Sequence, residues 1–209
     1  MVNSGKEEQS GPIFFWKPHE SEYGFLSQWH SSPFQDADKS KTYSSAEQYM
    51  MYQKASLFED HEIGAKILKT TSPKEQKSLG RKVRNFDDDV WKKNRSRIVT
   101  EGSYFKFMYS LSEDEGLKER LLATRERELI EASPMDRIWG IGFGAQNAES
   151  QKHKWGLNLL GIALMEARKR IRVEERDKKV LEKPTKESKK GSHDAGTNDK
   201  EPQDPRGRR

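Results

Sequence analysis

The sequence predicts a mainly α-helical fold, a single multihelical domain with a few short β-strands. Helix-start signals recur along the chain, and they are followed by apolar residues at the i, i+3, i+4 spacing of one helix face. Strand-like segments are few, and they do not alternate with helices as they do in parallel α/β sheets. The pattern therefore favours packed helices over a core built on a sheet.

The folded domain is expected at residues 12–172, because the segments on either side contain few large apolar side chains. The chain is 32% hydrophobic and 35% charged, and the polar residues are concentrated at its ends. Residues 173–209 contain only Val173, Val180 and Leu181 as large apolar residues. Such a segment cannot bury enough apolar surface to offset the entropy lost on ordering. We therefore expect residues 1–11 and the charged tail, 173–209, to be disordered.

Charge and composition argue against several classes of protein. The net charge of +5 is mild and interspersed, unlike the charge footprint of a nucleic-acid-binding surface. There is no cysteine, and the five histidines lack the spacing of metal ligands, so no metal is expected. No apolar run is long enough for a membrane span or a signal peptide. We expect a cytoplasmic protein without membrane contact, and the basic tail leaves a nuclear location open.

The helices are predicted from their N-caps and their apolar spacing. A capping box from Ser45 to Gln48 starts the first helix, and Asp60 caps the second. Ser72 starts the third helix, and Asp87 starts a longer fourth one. The predicted helices cover residues 45–58, 61–69, 73 to about 80–83, 87–109, 117–122 and 156–171, and the predicted strands cover 13–16, 128–131 and 138–141.

The first helix carries an acid, Glu47, and an amine, Lys54, on its apolar side. Seven residues, or two turns, separate them, so both project from the row that also holds Met50 and Met51. A lysine partly buried among apolar groups can lose its proton and act as a nucleophile or base. The alternative is a lysine whose amine extends to water while Glu47 caps or pairs elsewhere. Both interpretations remain open at this point.

Three further clusters combine polar groups with aromatic rings. The loop at 23–34, which includes Trp29, is either a pocket wall for a flat ring or a plug of the core. Residues 131–142 place two acids and a tryptophan before a Gly-x-Gly segment, which permits close backbone approach to a ligand; turn capping is the alternative. Asn158 either caps the last helix or helps to hold a phosphate or a ribose hydroxyl.

Read in order, these clusters resemble one family, NADAR, also called YbiA-like. The resemblance covers roughly Phe14 to Arg172 and is carried by five segments: YGFLSQWHSSPF, SAEQYMMYQKASLF, GRKVRNFDDDVWKKNRSRIVTEGSYFKF, LIEASPMDRIWGIG and WGLNLLGIALM. It implies a YbiA-like, mainly helical fold and an N-glycosidase without a metal or redox cofactor. Two substrate classes are implied: the phosphoribosylamino-pyrimidines of early riboflavin synthesis, and ADP-ribose attached to guanine bases. The expected partner is therefore a small-molecule or a nucleic-acid-linked ribosyl substrate.

The resemblance also implies roles for particular residues. Lys54 is similar in position to a family lysine thought to form a Schiff base with the opened sugar, and Glu47 or Asp136 would protonate the leaving nitrogen. The expected substrate-binding residues are Trp29, Trp91, Arg97, Lys106, Glu131, Trp139, Gly140 and Asn158. Among them, Trp91 and Trp139 would stack on the base, and Lys106 and Arg97 would neutralise phosphate. The alternative functions are a non-catalytic module that binds NAD or ADP-ribose, and a nucleic-acid binder.

Overall fold

Helices form most of the structure, a computed structural model that describes residues 11–20, 22–112 and 115–182. The prediction of a mainly α fold is therefore confirmed. The helices are α1 (Ala46–Leu57), α2 (His61–Lys69), α3 (Pro73–Gly80), α4 (Asp88–Met108), α5 (Leu117–Ala123), α6 (Ala145–Ala148) and α7 (Leu159–Leu181). The strands are β1 (Ile13–Phe15), β2 (Phe34–Gln35), β3 (Thr42–Tyr43) and β4 (Leu129–Glu131). None of the described helices is long and apolar enough to cross a membrane.

Four helices begin at the caps that the sequence predicts. The side chains of Ser45, Asp60, Ser72 and Asp87 each accept a hydrogen bond from the backbone N–H three residues later, at 3.2, 3.2, 3.4 and 2.8 Å. Each bond satisfies a donor that has no partner inside its own helix. Side-chain capping thus sets where α1 to α4 begin.

The core lies where α4 packs against α1 on one side and α7 on the other. It is filled by fully buried aromatic and aliphatic side chains such as Tyr49, Ile98, Leu164 and Ile171. The helices α2 and α3 pack against α1 on its far side. The cavity described below lies beside α1, along the face that carries Glu47, Met50 and Lys54.

Two distant parts of the chain meet in a parallel strand pair. β1 pairs with β4 so that Phe15 lies opposite Glu131, and the N–H of Ala132 donates to the Phe15 carbonyl at 2.8 Å. The predicted strands at both positions are confirmed. The pairing places the residues after β1, beginning with Trp16, beside the end of β4. β2 and β3 form a separate antiparallel hairpin, which the sequence does not predict.

The predicted strand at 138–141 is wrong, because this segment forms bends and packs against the start of α7. The Asp136 carboxylate accepts hydrogen bonds from the N–H groups of Ile138 and Trp139, both at 2.8 Å. The carbonyls of Ile138 and Trp139 in turn accept from the first N–H groups of α7, those of Leu159 and Leu160. Backbone groups that a strand would use for pairing are therefore used to satisfy the helix start.

The last helix is longer than predicted, since α7 continues to Leu181 rather than ending at Ile171. Residues 173–181, which the sequence places in a disordered tail, are thus helical. Charged partners hold this extension: the Tyr104 hydroxyl donates to Glu174 at 2.6 Å, and Lys118 pairs with Glu175 at 3.0 Å. The expected disorder of residues 1–10 and 183–209 falls outside the described residues.

Gly161 of α7 lies against the backbone of β4, and we expect Gly161→Ala to destabilise the protein. A Cβ at this position would overlap the Leu129 carbonyl oxygen, which is backbone and cannot move aside freely. The cost should be about 1–3 kcal/mol in the free energy of unfolding, measured by urea denaturation. Gly64→Ala in α2 is the matched control, because its Cβ would make ordinary contacts of 3.5 Å or more. Equal stability of the two variants would contradict this account.

Candidate active site

A cavity of about 190 Å³, here called the lysine chamber, lies between α1, α3 and the end of β4. It brings together residues that are far apart in the sequence. Seven of the predicted site residues line it: Trp29, Glu47, Lys54, Trp91, Glu131, Asp136 and Trp139. The other lining residues include Gln28, Met50, Met51, Lys77 and Arg81.

The Lys54 amine projects from α1 into a partly apolar corner of the lysine chamber. Its Nζ donates to the Gly80 carbonyl at 2.9 Å, and it lies 4.1 Å from the centre of the Phe86 ring and 5.6 Å from that of Trp91. Burial lowers the pKa of the Lys54 amine, and the positive charge of Arg81 lowers it further, with Asp88 opposing. Within the described residues the amine has no carboxylate within ion-pair distance, so the site favours its neutral form more than an exposed lysine would.

Glu47 presents one bound and one unbound oxygen. Its Oε2 accepts from the Trp29 indole N–H at 3.2 Å, and its Oε1 is buried with no hydrogen-bond partner among the described residues. Burial raises the pKa of Glu47 to about 7, although the charge of Lys77 and the Trp29 hydrogen bond act in the opposite direction. An unpartnered buried carboxyl oxygen is costly unless a ligand or water completes it. Glu47 is therefore prepared to exchange a proton near neutral pH.

Glu131, the last residue of β4, has the same character. Its Oε2 is also buried and without a partner in the part of the chain that the structure describes. Burial raises the pKa of this carboxyl to about 8; the negative charges of Asp136 and Glu47 raise it too, and Lys77 lowers it. At pH 7 the group is mainly protonated and can donate a hydrogen bond or a proton. Two carboxyl groups with pKa values near neutrality thus share one chamber with an amine.

Four predicted substrate-binding residues do not line the lysine chamber. Arg97 is exposed and pairs with Glu101 on the same helix, at 3.6 Å. Gly140 packs against protein backbone, because a Cβ there would lie 2.6 Å from the Glu131 carbonyl oxygen. The close approach that this glycine permits is therefore to β4 and not to a ligand.

Lys106 and Asn158 are buried in supporting positions. The Lys106 amine donates to the carbonyls of Phe25 and Ser27, at 2.7 and 2.9 Å, and so holds the loop that carries Trp29. Burial lowers its pKa to about 7. Asn158 does not cap α7 through its side chain, because its amide instead bonds to the backbone of β4, at the Leu129 carbonyl (2.9 Å) and the N–H of the residue that ends the strand (3.0 Å).

Two cations line the lysine chamber that the sequence analysis does not identify, Lys77 and Arg81. They stand four residues apart at the end of α3, and the Lys77 amine lies 5.7 Å from the centre of the Trp29 ring. Their i, i+4 spacing is the one available signal, but it is also the spacing of any solvated helix face. No group of three or more potential metal ligands occurs among the described residues.

Comparison with known proteins gives consistent matches along this region. A family model described as the NADAR domain matches residues 14–172. The chain is 42% identical over 163 residues to N-glycosidase R617 of Acanthamoeba polyphaga mimivirus, and the match covers 75% of this chain and 94% of that protein. It is 31% identical to N-glycosidase Npun_R5314 of Nostoc punctiforme, covering 77% and 92%. The NMR structure of the E. coli protein YbiA superposes with a TM-score of 0.64 at 26% identity, covering 87% and 94%.

Proposed function

Since this chain belongs to the NADAR family and is an N-glycosidase, we propose that it cleaves the bond between a nitrogenous base and a phosphorylated ribose through an imine on Lys54. One observation supports this most directly. A partly buried amine lines the same chamber as Glu47 and Glu131, each of which has a buried carboxyl oxygen without a hydrogen-bond partner among the described residues. These are the groups that covalent capture of a sugar carbon and protonation of a leaving base require.

The proposed reaction begins with opening of the ribose ring: the C1′–O4′ bond breaks, O4′ takes up a proton as the base nitrogen loses one, and the C1′–N bond becomes an imine. The neutral Lys54 amine adds to C1′, and the bond from C1′ to the base nitrogen breaks as that nitrogen takes a proton from Glu131. Water then adds to the Lys54 imine with Glu47 accepting its proton, and collapse of this adduct releases the sugar as an aldehyde and restores the amine. A proton then passes from Glu47 back to Glu131, which returns both carboxyl groups to their starting states. The net change is the addition of one water across the C1′–N bond.

The charges around the lysine chamber suit a phosphorylated sugar. Lys77 and Arg81 both line it, and at pH 7 the mainly protonated Glu131 and the about half-protonated Glu47 neutralise only part of their positive charge. A phosphate on ribose carries negative charge that such cations stabilise. We therefore assign the phosphate to the α3 side of the chamber, in place of the expected Arg97 and Lys106.

Two substrates test this function and separate its two versions. The purified chain is incubated with a phosphoribosylamino-pyrimidine and, separately, with an oligonucleotide carrying ADP-ribosylated guanine, and products are resolved by chromatography. Release of free base and ribose 5-phosphate identifies the metabolite version, and release of ADP-ribose identifies the nucleic-acid version. If the enzyme turns over neither substrate, the proposal is overturned. Calorimetric binding without turnover would favour a non-catalytic NAD or ADP-ribose module instead.

A further inference from the structure

A second cavity, of about 470 Å³, adjoins the lysine chamber and is here called the Trp16 chamber. The two share part of their walls, since Ser27, Trp29, Lys77, Glu131 and Asp136 line both. The residues that line only the Trp16 chamber are Trp16, Lys17, Pro18, His19 and Ser133. All but Ser133 belong to the segment that follows β1, and none of them is among the residues that the sequence predicts for the site.

The size of the lysine chamber shows why a second compartment is needed. Small-molecule sites usually enclose about 300–1,000 Å³, and the lysine chamber, at about 190 Å³, falls below this range. The Trp16 chamber alone falls within it. A base joined to a ribosyl phosphate therefore has to extend from one chamber into the other.

The positions of the reactive groups decide which part of the substrate lies in which chamber. Lys54 lines only the lysine chamber, so the sugar carbon that it attacks must lie there. Glu131, the proposed acid, lines both chambers, which places the bond to the leaving nitrogen at their boundary. The base on the far side of that bond then points toward Trp16.

The Trp16 chamber has the chemistry to hold a flat heterocycle. Both tryptophans that line it are partly accessible, Trp16 with 37% and Trp29 with 36% of their surface exposed. Trp91, in contrast, is only 8% exposed, and its ring faces the Lys54 amine. Aromatic faces stack on any nitrogenous base. The Lys17 amine, which lies over the Trp16 ring at 4.6 Å from its centre, can donate hydrogen bonds to ring nitrogens and carbonyl oxygens.

We propose that the Trp16 chamber is the subsite for the leaving base, and that Trp16, Lys17 and His19 determine which base the enzyme accepts. The ligand class is a planar nitrogenous base with hydrogen-bond acceptors on its edge. This inference rests on the proposed function and refines it, because it divides the substrate between two chambers at the bond that is cleaved.

Product inhibition tests whether the substrate is divided between the two chambers, because each product should then occupy one of them. Ribose 5-phosphate and a free base, either guanine or a triaminopyrimidinone, are measured as inhibitors and as calorimetric ligands. We expect Trp16→Ala to weaken binding of the base by roughly tenfold, as loss of a stacking ring does, while ribose 5-phosphate binds as in wild type. Trp16→Phe should retain most of the affinity for the base. His153→Ala, an exposed histidine outside both chambers, is the control and should change neither constant.

His19→Ala and Lys17→Ala give the same test at exposed side chains, should Trp16→Ala fail to fold. Either substitution should weaken binding of the base and leave binding of ribose 5-phosphate unchanged. Weaker binding of ribose 5-phosphate with unchanged binding of the base would place the sugar in the Trp16 chamber and overturn the proposal. Unchanged binding of both products in all three variants would also overturn it, as would a wild-type enzyme that binds ribose 5-phosphate but neither base. Failure of the proposed function is a separate result, the absence of turnover by wild type.

Discussion

Lys54→Ala is expected to abolish turnover while leaving the protein folded. In the proposed reaction the Lys54 amine forms the covalent bond to C1′, so its loss should lower kcat by about four orders of magnitude or more, as removal of a covalent nucleophile does. The fold should survive because the side chain lies half-buried at a cavity and makes one hydrogen bond, to the Gly80 carbonyl. Steady-state kinetics with the preferred substrate measures the first effect, and thermal unfolding measures the second.

Lys54→Arg separates a nucleophile from a positive charge. Arginine keeps the charge and can still contact the rings of Phe86 and Trp91, but it does not form an imine at neutral pH. It should therefore be as inactive as Lys54→Ala. Lys69→Ala, which removes an exposed lysine at the end of α2, should retain wild-type kinetics. Substantial activity in Lys54→Arg would show that the amine acts through its charge alone.

Reduction during turnover gives independent evidence for the same bond. Sodium cyanoborohydride converts an imine to a stable amine, so wild type should acquire one sugar phosphate per chain, and peptide mapping should place it on Lys54. The adduct should be missing from Lys54→Ala and from Lys54→Arg. An adduct on Lys77, which lines the same chamber, would show that the nucleophile is Lys77 on α3 and not Lys54 on α1.

The sequence predicts well those features that depend on local chemistry. Ser45 and Asp60 cap their helices because the bond joins residues three apart, and such pairs are visible in the sequence. The placement of Glu47 and Lys54 in one chamber follows similarly from the two-turn periodicity of α1. The geometry of a single helix is enough for these predictions.

Features that depend on contacts between distant segments are not predictable in this way. Lys54 and Lys106 both lie on largely buried faces of long helices, yet the first lines a cavity and the second bonds two loop carbonyls. The difference is set by where the loop at 25–29 falls, and no local pattern encodes it. The role of Trp16 depends equally on the pairing of β1 with β4, which are separated by more than a hundred residues.

Asn158 shows how a correct local rule can be overridden. An asparagine before an apolar helix is a good N-cap, but the carbonyls of the turn at 138–140 already accept hydrogen bonds from the first N–H groups of α7. The amide side chain is therefore free to bond to β4, where it binds the backbone N–H of Glu131 at 3.0 Å. Its effect on the site is thus indirect: it positions the carboxyl that we propose as the acid.

Glu131→Gln is expected to lower kcat/KM by about 10²–10⁴-fold, the usual contribution of a general acid. The amide has nearly the same shape and keeps the residue in β4, but it cannot give a proton to the leaving nitrogen. Glu128→Gln is the matched control, because that glutamate lies three residues earlier and is exposed. Wild-type activity in Glu131→Gln would contradict this assignment. The general acid would then be Asp136, the sequence-predicted candidate that also lines both chambers.

The pH profile distinguishes an acid from a residue that only binds. Glu131 must be protonated to act, so wild-type kcat/KM should fall as pH rises through its pKa of about 8, and Glu131→Gln should lose this basic limb. Glu47 must be ionised to accept a proton, so activity should rise as pH rises through its pKa of about 7, and Glu47→Gln should lose that acidic limb. A basic limb that persists in Glu131→Gln would belong to another group and would contradict the assignment.

The contribution of Glu131 to stability should fall as pH rises, whereas that of a carboxylate whose pKa is lowered on folding increases with pH. The pKa of Glu131 is raised from 4.5 to about 8 on folding, so the unfolded chain binds fewer protons than the folded one between these values. The contribution of this group to stability is therefore complete below pH 4.5 and is lost as pH rises to about 8. Glutamine does not titrate. As pH rises from 4.5 to about 8, Glu131→Gln should therefore lose less stability than wild type, as measured by thermal unfolding. A variant that is less active yet relatively more stable at pH 8 would mark Glu131 as a buried acid kept for catalysis at a cost in stability.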